Sequence, residues 1–425
     1  IVKLLYNTYI LGGVLMRKVY TSVDLGSSTI KIMVGEIFNK KLNVLGTAKV
    51  ESRGIKKGVI VDANEIISSL REAISNIESK LNITIDKVIA SVPSYYAEFE
   101  IVNGSVDINL DDDNKVRGSD IVNVLKYAAK SKLKPDRELV SIIPIYFTLD
   151  GRKNISDPKG LVGKKLGVKA MMVTTPSKNV QSIISIFEAM GIEVVDVNLG
   201  SICDYQEFKN NFTKDNLGAI INIGSDITTV SLFNKGIIVN SEIIQIGGKN
   251  IDNDISYVFK VDKKNAVKLK EGFATAHKKF ARINDTKEVL GINNELVNIN
   301  QYDISKVVMS RLTEILKLAK KQSYLLTNRE ISYIIITGGT SEVPGMSYLV
   351  EECLGSNAKV GSIDTIGIRS CEYSTVSGLI RCFDGKLELR DKEFTMIDFD
   401  DENNKNMNID NNSVLSKVFG YFFDS

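Results

Sequence analysis

The chain has 425 residues, 43% hydrophobic and 25% charged, with a formal net charge of +2; that is ordinary globular composition, in a chain long enough for two or more domains. A near-neutral balance offers no polyanion-binding surface, so nucleic acid is set aside as a partner. Four cysteines without CxxC spacing and a single histidine exclude a disulfide frame and a histidine-built metal centre; the cysteines read as free thiols of a reducing cytoplasm.

Residues 1–15, "IVKLLYNTYILGGVL", are apolar but interrupted by Asn7 and Thr8, and are shorter than the ~20 residues a membrane span needs. No small-residue cleavage site follows, which argues against a signal peptide. Met16 reads as a natural start, and the fifteen residues before it as an extension outside the native structure. "VDLGSSTIKIMVG" (23–35) is an apolar strand, a break of glycine and small polar residues, and a second apolar strand. A helix follows over "DANEIISSLREAISNIESKL", with Ile66, Ile67, Leu70, Ala73, Ile74, Ile77 and Leu81 on one stripe, and then the buried strand "KVIASVP". Between about 94 and 176 the pattern gives a strand near 98–109, a helix capped by Ser119 and running to Lys130, and strands at 138–148 and 165–174. That is a compact α+β insert.

Helix "NVQSIISIFEAMG" and strand "IEVVDVNL" then lead to "IINIGSDITTVSLF" (220–233), an almost matching copy of the first hairpin in which Asn222 stands where the first has Asp24. A long helix over "DISKVVMSRLTEILKLAKKQ", the strand "ISYIIITGG", the loop "TGGTSEVPG" (337–345) and the helix "GMSYLVEECLG" complete a layout that repeats at a spacing of about 200 residues. The stretch from about 390 is acidic and Asn-rich without periodicity, which reads as a disordered linker. In the last segment, 413–425, Ser413 serves as N-cap and helical spacing places Val414, Leu415, Val418, Phe419, Phe422 and Phe423 on one side.

Tight turns of glycine and hydroxyl residues let backbone N–H groups and Ser or Thr oxygens approach phosphate closely. One such hairpin is weak evidence; two, each opening a duplicated half, point to loops that grip a nucleotide's phosphates from both sides. His277, in "AHKKFAR", reads as part of a solvated helix face and receives no role.

These features resemble the actin/Hsp70/sugar-kinase superfamily and, within it, the FtsA family of bacterial cell-division proteins. The resemblance runs from about Met16 to Arg381; its least generic part is "DRELVSIIPIYFTLDGRKNISDPKGLVGKKLGVKAMMVTT" (136–175), similar to the small 1C domain of that family. It implies an α/β, duplicated two-lobed actin-like fold with an inserted small α+β domain and a C-terminal amphipathic helix on a disordered linker. The expected division is subdomain 1A at 16–93 plus 356–389, 1C at 94–176, 2A at 177–247 plus 327–355, 2B at 248–326, a linker at 390–412 and a membrane-targeting helix at 413–425. It also implies ATP with Mg²⁺. Asp24, Gly26, Ser27, Ser28 and Lys31 match the first phosphate loop, with Asp24 facing the metal. Asn222, Gly224, Ser225, Asp226 and Thr228 fall on the second. Gly247, Gly248 and Lys268 border the ribose and adenine, and Gly338, Gly339 and Thr340 match the adenosine loop. Actin-like ATPases commonly carry an Asp where Asn222 stands. An amide neither accepts a proton nor offsets Mg²⁺, a loss of about a hundredfold to ten-thousandfold in rate, so ATPase activity is expected to be weak or absent. Asp226 is expected to shape its own turn through an Asx hydrogen bond.

The terminal helix either docks on the body or enters a membrane interface; the linker before it and the resemblance favour the membrane. With only Lys417 against Asp424, basic residues contribute about 1 kcal/mol each, against on the order of 5 kcal/mol for half-burying the stripe. Arg311 and Glu314, three apart on the long helix, read alone as a surface ion pair. The resemblance makes them a site for the C-terminal peptide of FtsZ. Self-association into filaments, other division proteins and the cytoplasmic membrane at the division site are the further implied partners. The alternatives are a PilM-like pilus-assembly adaptor and a small-molecule kinase of the same superfamily.

Overall fold

The computed structural model describes residues 17–108 and 114–397. The 1–15 extension, residues 398–412 of the expected linker and the helix at 413–425, with its six apolar side chains, lie outside the described residues; the linker's start is not loose as expected, since Met396 and Ile397 are buried and the Met396 N–H donates to the Val19 carbonyl at 2.9 Å.

Two five-stranded sheets form the two lobes, and they share one topology. In the first, an antiparallel meander of Lys18–Leu25, Thr29–Phe38 and Lys41–Glu51 is extended on its Lys18–Leu25 edge by the parallel strands Lys87–Val92 and Glu193–Leu199. In the second, the meander Leu217–Ile223, Thr228–Asn234 and Ile237–Ile244 is extended on its Leu217–Ile223 edge by Tyr333–Thr337 and Ala358–Val360, again parallel. Parallel strands require covered faces, and the sequence supplies the cover. Helix Ala63–Leu81 turns Ile66, Leu70, Ala73, Ile74 and Ile77 inward and is capped by Asp62, whose carboxylate accepts the N–H of Asn64 and Glu65. Helix Gln301–Leu325 buries Ile304, Val308, Leu312, Ile315, Leu316 and Ala319 under the second sheet.

A third sheet, ordered Glu98–Asp107, Lys165–Pro176, Arg137–Leu149 and Arg152–Ile155, carries helix Gly118–Lys130 on one face. It is the inserted α+β unit. Gly104 lets that helix close on the sheet: a Cβ there would sit 2.8 Å from the Ala128 Cβ. Two details differ from the sequence reading. The helix begins at Gly118, with Arg117 at the cap position, because the Asp120 carboxylate reaches back to the Arg117 N–H at 2.8 Å, a stronger acceptor than the Ser119 hydroxyl. The short strand Arg152–Ile155, polar and exposed, gave no apolar signal to read.

The lobes join where helices Gly200–Phe208 and Ser374–Leu389 cross. Gly378 makes that crossing possible, since a Cβ there would fall 1.9 Å from the carbonyl oxygen of Cys203.

Candidate functional site

Both glycine turns open onto one cleft of about 590 Å³ between the lobes, within the size range of small-molecule sites. Asp24, Gly26, Ser27, Ser28 and Lys31 line it from the first lobe, and Asn222, Gly224 and Ser225 from the second. Gly338, Gly339 and Thr340 add the third turn. Gly338 has φ +92°, and a Cβ there would meet Asn222 Oδ1 at 2.4 Å and the Ile223 carbonyl oxygen at 2.6 Å, so only glycine brings this turn so close to the second hairpin.

The remaining expected residues take other places. Thr228 is fully buried and donates its hydroxyl to the Ile246 carbonyl at 2.8 Å. The Gly248 N–H donates to the Gly224 carbonyl at 2.9 Å, and a Cβ on Gly247 would lie 2.5 Å from the Ser225 carbonyl oxygen. These three brace the second turn from behind. Lys268 is exposed on helix Lys263–Gly272, whereas Lys270 is buried, lines the cleft and sits 2.8 Å from the buried Asp252. Two positions along a helix is about 200° of rotation, so the two lysines face opposite ways. Burial raises the Asp252 carboxyl, and Lys270 opposes that rise.

Asp226 does not cap its own turn. Its Oδ2 accepts the N–H of Lys57 at 2.9 Å, while the next N–H, of Gly58, donates to Ser27 Oγ at 2.8 Å. Consecutive amides of one hairpin tip thus hold the first glycine turn and the second. Lys57 Nζ adds a bond to Gln245 at 3.0 Å.

Asp24 and Asp204 are the carboxylates nearest the Asn222 end of the cleft, where the Asn222 amide bonds Asp204. Asp24 accepts from Ser91 Oγ at 2.7 Å and has Lys31 Nζ at 3.9 Å. Asp204, on helix Gly200–Phe208, was not expected from the sequence. It is 1% exposed and lines the cleft, accepting from Ser374 Oγ at 2.6 Å, Thr375 Oγ1 at 2.9 Å and Asn222 Nδ2 at 2.7 Å. Burial pushes its carboxyl up to about 6; the three neutral donors pull it back, and the charge of Asp24 pushes it further up. The signal in the sequence is slight: the first of two acids inside "GSICDYQEF", eighteen residues before Asn222. On the long helix, Arg311 pairs with Glu314 at 2.6 Å as expected, and also binds Asp254 of helix Gly248–Phe259 through Nε and Nη2 at 2.6 and 2.9 Å.

Comparison with known proteins bears directly on this arrangement. The family model described as cell division protein FtsA matches residues 219–378, and that of the SHS2 domain inserted in FtsA matches residues 97–174. The chain belongs to the FtsA family. The cell division protein FtsA of Bacillus subtilis (strain 168) is 29% identical over 385 residues, covering 89% of this chain and 87% of that protein. The FtsA of Streptococcus pneumoniae serotype 2 is also 29% identical, over 85% of this chain and 79% of its own length. Among solved structures, MreB5 of Spiroplasma citri bound to ADP superposes with a TM-score of 0.52 at 14% identity, over 87% of this chain and 97% of that one. A PilM-PilN type IV pilus biogenesis complex gives 0.54 at 14% identity, over 85% and 97%. At that identity the structures share the two-lobed actin-like fold. This FtsA-family chain has no helix, among the described residues, long and apolar enough to cross a membrane.

Proposed function

We propose that this protein is a nucleotide-dependent division adaptor that assembles into filaments and tethers FtsZ to the cytoplasmic membrane at the division site, with ATP acting mainly as an assembly ligand. The observation that carries the nucleotide part is the convergence of three glycine turns from both lobes on one cleft. The residues suit a magnesium-bound triphosphate. Asp24 offers a hard oxygen ligand, Ser27, Ser28 and Ser225 offer hydroxyls, and Lys31 and Lys270 place positive charge on opposite sides of the cleft. Gly339 leaves open space on the third turn, where a Cβ would meet nothing nearer than 4.0 Å. Bound Mg²⁺ would supply charge neutralisation for the phosphates. The chain's own part is to orient them between the turns and to hold the lobes together through Lys57, Gly58, Ser27 and Asp226. A ligand held by both lobes favours their closed arrangement by its differential affinity for it, which makes it a conformational effector.

Arg311 and Glu314 stand on the face proposed for the FtsZ peptide; with Arg311 already gripped by Asp254, Glu314, half exposed, is the freer of the two for a partner. The helix at 413–425 is the proposed membrane element. One tail binds reversibly and a filament presents many, so avidity carries attachment.

Sedimentation with liposomes, ATP and an FtsZ C-terminal peptide, omitting each in turn, tests the reading. Deleting 413–425 is expected to abolish pelleting with liposomes while ATP binding persists; pelleting that survives the deletion removes the tail from the proposal. Phosphate release is expected below about 1 per second, the low end of ordinary enzyme rates, because Asn222 offers no carboxylate on the strand.

A further inference from the structure

The two lobes differ at one equivalent point. On the first, Asp24 stands opposite Lys31 in the hairpin register; on the second, Asn222 stands opposite Thr229. Neither charge is kept. Yet a carboxylate reaches the same spot from another element, since Asp204 Oδ2 lies 2.7 Å from Asn222 Nδ2. An ionised carboxylate accepts only donors, so Asn222 must turn its NH₂ toward Asp204 and its oxygen away. That oxygen lies beside Gly338, where the third turn meets the cleft. A hydrogen bond from an amide N–H to an anion also polarises the amide and strengthens its oxygen as an acceptor. Ser374 and Thr375 fix the other carboxylate oxygen, so Asp204 cannot swing away.

We propose that Asp204 is the second lobe's acid, moved from strand to helix. By gripping Asn222 it holds the amide oxygen toward the cleft and sets a negative charge behind it, for a divalent cation carried by a nucleoside triphosphate. Asp204 is in this sense a positioning residue, and its role rests on the nucleotide reading above.

The test is calorimetric binding of ATP with Mg²⁺ and with EDTA to the full chain, for the native protein, Asp204→Asn and the double variant Asp204→Asn with Asn222→Asp. Asp204→Asn is expected to weaken Mg²⁺·ATP at least tenfold and to leave ATP in EDTA within about twofold. Returning the acid to the strand in the double variant is expected to recover Mg²⁺·ATP to within about threefold of native. A merely structural Asp204 would move both forms of ATP alike and gain nothing from the swap; either result overturns the proposal. If the native chain binds neither form, the nucleotide reading itself fails and takes this proposal with it. Urea midpoints of each variant show that a lost affinity is not a lost fold.

Discussion

Gly378→Ala is expected to destabilise the protein by about 3 kcal/mol, the upper end of the range for overpacking, read as a lowered urea midpoint. The reason is geometric. The added methyl would lie 1.9 Å from the Cys203 carbonyl oxygen, 2.4 Å from its carbon and 2.8 Å from its Cα. Those are backbone atoms of helix Gly200–Phe208, and no rotamer change can move them aside; the two helices must separate. Ser374 and Thr375 lie one turn before Gly378, and Asp204 follows Cys203, so separation also pulls the two hydroxyls from the Asp204 carboxylate. Gly385, on the same helix, is the control. A Cβ there meets nothing within 4 Å, and Gly385→Ala should stabilise by up to about 1 kcal/mol through helix propensity alone. Opposite signs for the same substitution on one helix identify the crossing as the cause. A Gly378→Ala midpoint equal to the native one would show that the helices are not locked together there.

Much of the fold was legible because duplication leaves a strong trace. Two apolar strands around a glycine turn, met twice about 200 residues apart, predict two hairpins, and both are present with equivalent registers. The inserted unit was readable from period-2 runs and one amphipathic helix. The glycine turns were legible for a related reason: glycine beside small hydroxyl residues is a local pattern, and the residues of such a turn reach the cleft together. What escaped was non-local. Asp204 gains its meaning from Asn222 on a strand and Ser374 and Thr375 on another helix, 170 and 171 residues away. No window of sequence contains that contact. Lys270 is legible in the sequence by phase, since Ala266, Leu269 and Lys270 are the buried positions of their helix and mark its inward stripe, from which Lys268 is turned away. Asp226 was read as a local turn residue because nothing in its own hairpin announces Lys57, whose amide comes from the other lobe.

The pH dependence of Asp204→Asn is the second large effect. In the folded protein burial lifts this carboxyl from its ordinary 3.8 to about 6, a difference worth roughly 3 kcal/mol. Because the folded state holds this proton more tightly than the unfolded chain, the group's contribution to stability is fully present below about 4 and is lost as pH rises through 6. Asparagine has nearly the same shape and never ionises, so it never incurs that loss. Asp204→Asn should therefore be more stable than the native protein by about 3 kcal/mol at pH 7.5, and the gap should close toward zero near pH 4. Asp196, Asp252 and Asp384 are also raised by burial, but they are common to both proteins and cancel in the difference. Urea unfolding of the pair at several pH values measures it. A variant less stable than native at pH 7.5 would mean that the three hydrogen bonds outweigh desolvation, and that the acid serves the fold. A more stable variant with impaired Mg²⁺·ATP binding would mean that the free protein carries a destabilising charge at the floor of its cleft, one that a bound cation relieves. Nucleotide binding would then strengthen the contact between the two lobes at the residue where their internal symmetry is broken.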